Sequence, residues 1–126
     1  MSNKKILVLG NTGFIGKNLT KSLINDNHQV FSCSKSTGVD IRNYDEISKK
    51  IKDIKPDVIF NLASHGGSLH YVKEFAADVF SDNVQMALNL YRAVKEYSSD
   101  SKIITPFSNC SYPGSSDVQE EEKWLD

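Results

Sequence analysis

The sequence predicts an α/β fold, a doubly wound parallel sheet with helices on both faces. Three observations predict it. Short aliphatic runs alternate four times with stretches of helical periodicity. The first run, Ile6-Leu7-Val8-Leu9, is continuously apolar, as a parallel strand buried on both faces should be. It passes straight into Gly10-Asn11-Thr12-Gly13-Phe14-Ile15-Gly16 and then into a helical pattern.

The elements follow in order. Lys4 to Leu9 is the first strand. Phe14, Ile15, Leu19, Leu23 and Ile24 fit one face of a helix running to about Asp26, ended by Asn25-Asp26-Asn27. His28 to Ser34 is the second strand, and Ser34 to Gly38 a loop before Asp40-Ile41. Asn43 caps a helix carrying Ile47, Ile51 and Ile54, which Pro56 stops. Asp57 to Asn61 is the third strand, followed by a small-residue loop, Ala63 to Leu69, that contains Gly66-Gly67. From about Asp78 to Tyr97 a long helix places Val84, Ala87, Leu88, Tyr91 and Val94 at helical spacing. Lys102 to Phe107 is the fourth strand, and Ser108 to Asp117 a loop. Right-handed crossovers make the strands parallel, with an expected spatial order 3-2-1-4. The pattern is expected to be truncated after strand 4, whose edge then needs cover from the tail or a partner.

The 126 residues suffice for one domain, taken as residues 1–126. With 39% hydrophobic and 25% charged residues, wholesale disorder is excluded. A net charge of −1 supplies no basic field for nucleic acid. No apolar run approaches the roughly 20 residues that span a bilayer, so no membrane partner is expected. Lys4-Lys5 before an apolar run imitates a leader peptide, but the run ends at Leu9. Cys33 and Cys110 make no disulfide framework, and a reducing, cytoplasmic setting is expected. His65 and His70 flank Gly66-Gly67 without the spacing of a metal site; His65 is read as a plain loop histidine, with reach to a ligand as the alternative. Glu120 to Glu122 reads as a solvated face, and Trp124 as a lone ring over an apolar edge.

A strand, a glycine turn and a helix N-terminus together make a pyrophosphate site, the Rossmann-like dinucleotide signature. Here the glycines are three apart: Gly10, Gly13 and Gly16. Gly10 is expected to let the chain turn off the strand. Gly13 is expected to let backbone approach the pyrophosphate, and Gly16 to let the helix pack on the sheet. Asn11 and Thr12 bind phosphate or stabilise the turn. A glycine-rich turn with no ligand is the alternative. After strand 2 an acid would bind the ribose 2′-hydroxyl and select NAD. The tip is instead Ser34-Lys35-Ser36, which suits a 2′-phosphate and favours NADP over NAD. A solvated loop lysine is the plain reading of Lys35. Asp40 sits further on, for contact with adenine or local capping.

These residues resemble the extended short-chain dehydrogenase/reductases, the NAD-dependent epimerase/dehydratase family that acts on nucleotide sugars. The matching blocks are Gly10 to Gly16, Asp40-Ile41 and Pro56 to Ser64, then Asn83, then Ser108-Asn109-Cys110-Ser111-Tyr112-Pro113-Gly114, in the family's order. Asn61-Leu62-Ala63 with Gly66-Gly67, and the Cys110 to Pro113 stretch, look most like GDP-fucose synthase relatives. The resemblance implies hydride transfer at a sugar carbon and a nucleotide-sugar substrate in the complete enzyme, with NADP or NAD as cofactor. It also implies dimerisation through helices like the long one here. By position, Leu62, Ala63 and Ser64 would line the cofactor near its second ribose. Ser108 takes the place of the family's catalytic serine, and a loop serine is its alternative. Cys110 takes the place of an acid/base cysteine, with a small buried filler as the alternative. Asn83 holds loop backbone near the site.

Family catalysis uses a Tyr-x-x-x-Lys pair placed after the serine. Tyr91-Arg92-Ala93-Val94-Lys95 has that spacing but precedes Ser108, and is read as helix packing. No such pair follows Ser108, and the substrate domain is expected to be absent. The expectation is therefore the NAD(P)-binding portion of a nucleotide-sugar epimerase, reductase or dehydratase. A non-catalytic dinucleotide sensor or subunit is the alternative.

Overall fold

The computed structural model describes residues 3–108. Four strands are present: β1 (Lys5–Leu9), β2 (Gln29–Cys33), β3 (Val58–Asn61) and β4 (Lys102–Ile104). Four α-helices connect them: α1 (Phe14–Asn25), α2 (Tyr44–Ile54), α3 (Leu69–Glu74) and α4 (Ala76–Tyr97). All strand pairs are parallel, as the alternation predicts.

The order is β2-β1-β3-β4, not 3-2-1-4. The third strand pairs with the first, in register Leu7 to Ile59, while the second lies at the edge. The physical reason is in the side chains. β2 carries Gln29 and Ser32 and buries only Cys33 fully, which suits an edge. Ile59 is fully buried between two neighbours. Right-handed connections then dictate the layers. The chain moves one way from β1 to β2, then reverses across β1 to reach β3. That reversal places α1 on one face and α2 with α4 on the other, where these two helices pack together. The switch point therefore falls between β1 and β3.

Most of the core lies between the sheet and the α2/α4 layer. Leu7 and Leu9 point there, with Ile59 from β3. Ile47, Ile51 and Ile54, at helical spacing on α2, meet Leu90, Ala93 and Val94 of α4. Burying each of the larger of these aliphatic side chains contributes about 1.5–3 kcal/mol. Asn43 caps α2 as predicted, its side-chain oxygen accepting from the Asp45 N–H at 3.0 Å. Asp45 and Glu46 in the first turn complement the helix dipole. Lys55, at φ +47, ends the helix before Pro56.

Several local expectations are corrected. Leu69–Glu74 is helical, because Ser68 caps it through the Tyr71 N–H at 3.2 Å. Lys35–Thr37 forms one 3-10 turn, closed by reciprocal Ser34–Thr37 hydrogen bonds. β4 ends at Ile104 rather than Phe107. The apolar face read for the first helix is not all packed: Phe14 is 86% exposed, and Ile15 and Ile24 are exposed too. On α4 the buried stripe is Asn89, Leu90, Ala93 and Val94, offset from the one expected. Tyr91, read as packing, is exposed among the described residues. No helix of the described residues is long and apolar enough to cross a membrane, and no group of His, Cys, Asp or Glu there could hold a metal ion.

Candidate functional site

The three glycines play three different parts. Gly10 leaves β1 at φ +77, and its N–H donates to the Cys33 carbonyl at 2.8 Å. A β-carbon on it would lie 2.7 Å from the Leu62 oxygen and 2.8 Å from the Ala63 nitrogen. The glycine thus lets the ends of β1 and β3 come together. A β-carbon on Gly16 would overlap the Gly10 carbonyl oxygen and stand 2.7 Å from the Asn11 α-carbon. Gly16 therefore seats α1 on the turn itself rather than on the sheet.

Gly13 is different. Its backbone is extended, with φ −72 and ψ 171, which any residue adopts. The nearest atom to a β-carbon there would be the Gly10 oxygen, at an ordinary 3.4 Å. Nothing in the described fold demands a glycine at this position. Gly13 is also the N-cap of α1, and no side chain caps that helix. Uncapped N–H groups and the positive end of the dipole attract an anion.

Gly13 opens onto a cleft of about 470 Å³ at the carboxyl ends of β1 and β3, the switch point. Gly10 and Thr12 share its floor with Gly13. Ser34, Lys35, Val39, Asp40, Ile41 and Arg42 form one wall, from the segment joining β2 to α2. Leu62, Ala63, Ser64 and His65 form the other, following β3. Asp82 and Met86 of α4 close the back.

Arg42, Asp40, Asp82 and His65 form a paired cluster in the cleft. Arg42 grips Asp40 through Nε at 3.0 Å and Nη2 at 2.6 Å, while its backbone N–H donates to the same carboxylate at 3.0 Å. These bonds, the side-chain one foremost, hold the Asp40 carboxyl down at about 2. The two carboxylates in turn raise the Arg42 guanidinium above its ordinary value. Arg42 Nη1 reaches Asp82 at 2.7 Å. His65 Nδ1 lies 2.9 Å from the same Asp82 oxygen, and its Nε2 3.0 Å from the Tyr71 hydroxyl. Asn83 holds the His65 backbone from both sides, as the resemblance implies for this asparagine. Of the charged side chains lining the cleft, Lys35 makes no salt bridge among the described residues.

Ten of the residues picked from the sequence line one cleft: Gly10, Thr12, Gly13, Ser34, Lys35, Asp40, Ile41, Leu62, Ala63 and Ser64. Asn11, Phe14, Ile15, Gly16 and Ser36 do not line it. Asn11 Oδ1 is buried without a hydrogen-bond partner, and Ser36 Oγ joins Ser34 at 2.9 Å beside Thr12. Ser108 is exposed and outside the lining, and Cys110 lies outside the described residues. Sequence reasoning missed Val39, Arg42, Asp82 and Met86. The one available signal was Arg42, directly after Asp40-Ile41.

The fold has counterparts among known proteins. Protein CapI of Staphylococcus aureus is 31% identical over 116 residues, covering 74% of this chain and 34% of that protein. GDP-L-fucose synthase of Azorhizobium caulinodans is 28% identical over 113 residues, 87% of this chain and 35% of that one. The chain thus spans about a third of the length of these curated relatives. A GDP-D-glycero-L-gluco-heptose synthase from Campylobacter jejuni, solved in the presence of NADPH, shares the fold at TM-score 0.85 and 22% identity, over 99% of this chain and 37% of that one. The UDP-N-acetylglucosamine 4-epimerase of Bacillus cereus superposes at TM-score 0.76 with 27% identity, over 98% of this chain and 47% of its own. The family model of the NAD dependent epimerase/dehydratases matches residues 6–125, nearly the whole sequence, and this chain belongs to that family.

Proposed function

We propose that this chain forms the dinucleotide-binding part of an NAD(P)-dependent enzyme acting on a nucleotide sugar, with NADP as the preferred cofactor. One observation carries the reading. Gly13 is a glycine that the described fold does not need, placed at an uncapped helix N-terminus on the cleft floor. A β-carbon there would project where a pyrophosphate has to approach.

The remaining residues take their parts around that point. The first-turn N–H groups of Phe14 and Ile15 receive the pyrophosphate, which leaves their side chains free to face outward. Lys35, Ser34 and Ser36 hold the 2′-phosphate: β2 ends in Cys33 with no acid to repel it. Asp40 does not supply that repulsion either, because Arg42 balances its charge. Asp40 and Ile41 flank the adenine, and Leu62, Ala63 and Ser64 line the path to the second ribose. The bound nicotinamide supplies hydride exchange with a sugar carbon. Ser108 is proposed to hydrogen-bond the reacting sugar oxygen, and Cys110 to carry a proton at the neighbouring carbon. The relatives described as GDP-L-fucose synthase and GDP-L-colitose synthase support the substrate class. A GDP-L-fucose synthetase of Naegleria fowleri, solved bound to NADP, supports the cofactor. Self-association through α4 belongs to the same reading, supported by the exposed Leu88 and Tyr91. A cytoplasmic location belongs to it too, supported by the free thiol of Cys33.

Fluorescence titration with NADPH and NADH tests this. Saturable NADPH binding with weaker NADH binding is expected. A folded chain that binds neither at millimolar concentration overturns the proposal.

A further inference from the structure

We propose that Asp82 is a positioning residue that orients one side chain on each wall of the cleft at once. The inference rests on the dinucleotide reading above. One carboxylate oxygen, Asp82 Oδ2, accepts from Arg42 Nη1 at 2.7 Å and pairs with His65 Nδ1 at 2.9 Å. Arg42 belongs to the segment that carries Asp40 and Ile41, and His65 to the segment that carries Leu62 to Ser64. The two walls are far apart in sequence, and the side chains of Arg42 and His65 meet at this one atom on α4.

Each arm ends in a fixed group. Arg42 places Nε and Nη2 on Asp40, so a guanidinium turned by loss of Asp82 turns the Asp40 carboxylate with it. On the other side, a carboxylate requires a proton on His65 Nδ1. That tautomer leaves Nε2 as an acceptor for the Tyr71 hydroxyl, 3.0 Å away. The Tyr71 ring lies directly on Gly67, whose β-carbon would stand 2.6 Å from Tyr71 Cδ1. The chain Asp40–Arg42–Asp82–His65–Tyr71 therefore runs along the cleft from the adenine end to the Gly66-Gly67 loop.

Asp82 is not what holds the fold. Asn89 independently ties the Ile41 and Arg42 carbonyls to α4, at 3.0 and 2.8 Å, and Asn83 ties the His65 backbone. Asp82→Asn keeps the shape and one acceptor oxygen but removes the negative charge that strengthens both bonds. It is expected to fold, and to weaken NADPH binding by about tenfold through loss of charge-assisted hydrogen bonds.

The test is NADPH titration of wild type and Asp82→Asn, with nitrogen-edited NMR of the His65 ring in both. In wild type the ring is expected as the Nδ1–H tautomer; in Asp82→Asn a mixture is expected. The tautomer reports whether the Asp82 arm to His65 is intact, and the NADPH affinity reports whether that arm positions the cleft. His65→Gln serves as a second variant should Asp82→Asn fail to fold, with a loss of affinity of about three- to tenfold expected from one broken arm. A folded Asp82→Asn that binds within about twofold of wild type, or an unchanged His65 tautomer, overturns the inference. Failure of wild type to bind NADPH overturns the dinucleotide reading instead, while the His65 spectrum still reports on Asp82.

Discussion

A β-carbon on Gly10 would stand 2.7 Å from the Leu62 carbonyl oxygen, so β1 and β3 meet at the cleft through a glycine. Both obstacles to a side chain are backbone: the positive φ of Gly10 and the fixed Leu62 peptide. Gly10→Ala is therefore expected to lower stability by about 2–4 kcal/mol, combining strain and overpacking. Urea unfolding with an unchanged slope checks it. A shift under about 0.5 kcal/mol would show that the strand ends can part.

Asn89 is buried on α4, and its Nδ2 donates to the carbonyls of Ile41 and Arg42. Those are the peptides that shape one wall of the cleft. Asn89→Ala leaves both acceptors without their donor, and a loss of about 2–3 kcal/mol is expected. The same unfolding measurement applies. Restoration by Asn89→Gln is not expected, since one more methylene overfills a buried site.

The Asp40–Arg42 pair makes stability depend on acid in one direction. The folded Asp40 carboxyl is held at about 2, against an ordinary 3.8. Its contribution is complete above 3.8 and is lost as pH falls from there toward 2. Arg42→Gln should remove that contribution, so the difference in stability between wild type and variant shrinks across this window. Chemical denaturation at a series of pH values reads the shrinkage. A difference that stays constant down to pH 2 contradicts the pairing.

Lys35 lines the cleft just beyond the end of β2, where no acid stands. Lys35→Glu is expected to weaken NADPH binding by about 10- to 100-fold, through loss of a charge-assisted contact and new repulsion, and to leave NADH nearly unchanged. Paired titrations check this. An equal loss for both cofactors would place the 2′-phosphate elsewhere.

Much of this was legible in the residue order. The apolar run of β1, the glycine spacing and the isoleucine repeat of α2 each depend on neighbours in sequence, and each stands where expected. The strand order departs from the expected 3-2-1-4. The polar positions Gln29 and Ser32 mark β2 as an edge, a weak local signal, and crossover handedness alone leaves the order open. The helix Leu69–Glu74 is too short to show periodicity, and only Ser68 announces it. The Arg42–Asp82–His65 cluster brings together three segments separated by long stretches of chain. Its charges look like ordinary solvated residues until the fold is known. Ten site residues nevertheless share one cleft because a glycine turn, a strand end and a helix start are local features that parallel topology gathers at one edge of the sheet.

The central claim is that the pyrophosphate approaches at Gly13. The most direct measurement is NADPH titration of Gly13→Val beside wild type, with circular dichroism and urea unfolding on both. A β-carbon at Gly13 meets nothing closer than the Gly10 oxygen at 3.4 Å, and the extended backbone suits a valine, so the fold should persist. The cost is expected at about 1 kcal/mol, that of a poor N-cap. Affinity for NADPH is expected to fall by at least about 100-fold, because the side chain occupies the approach to the helix N-terminus. A folded Gly13→Val that binds NADPH within about threefold of wild type would contradict the claim.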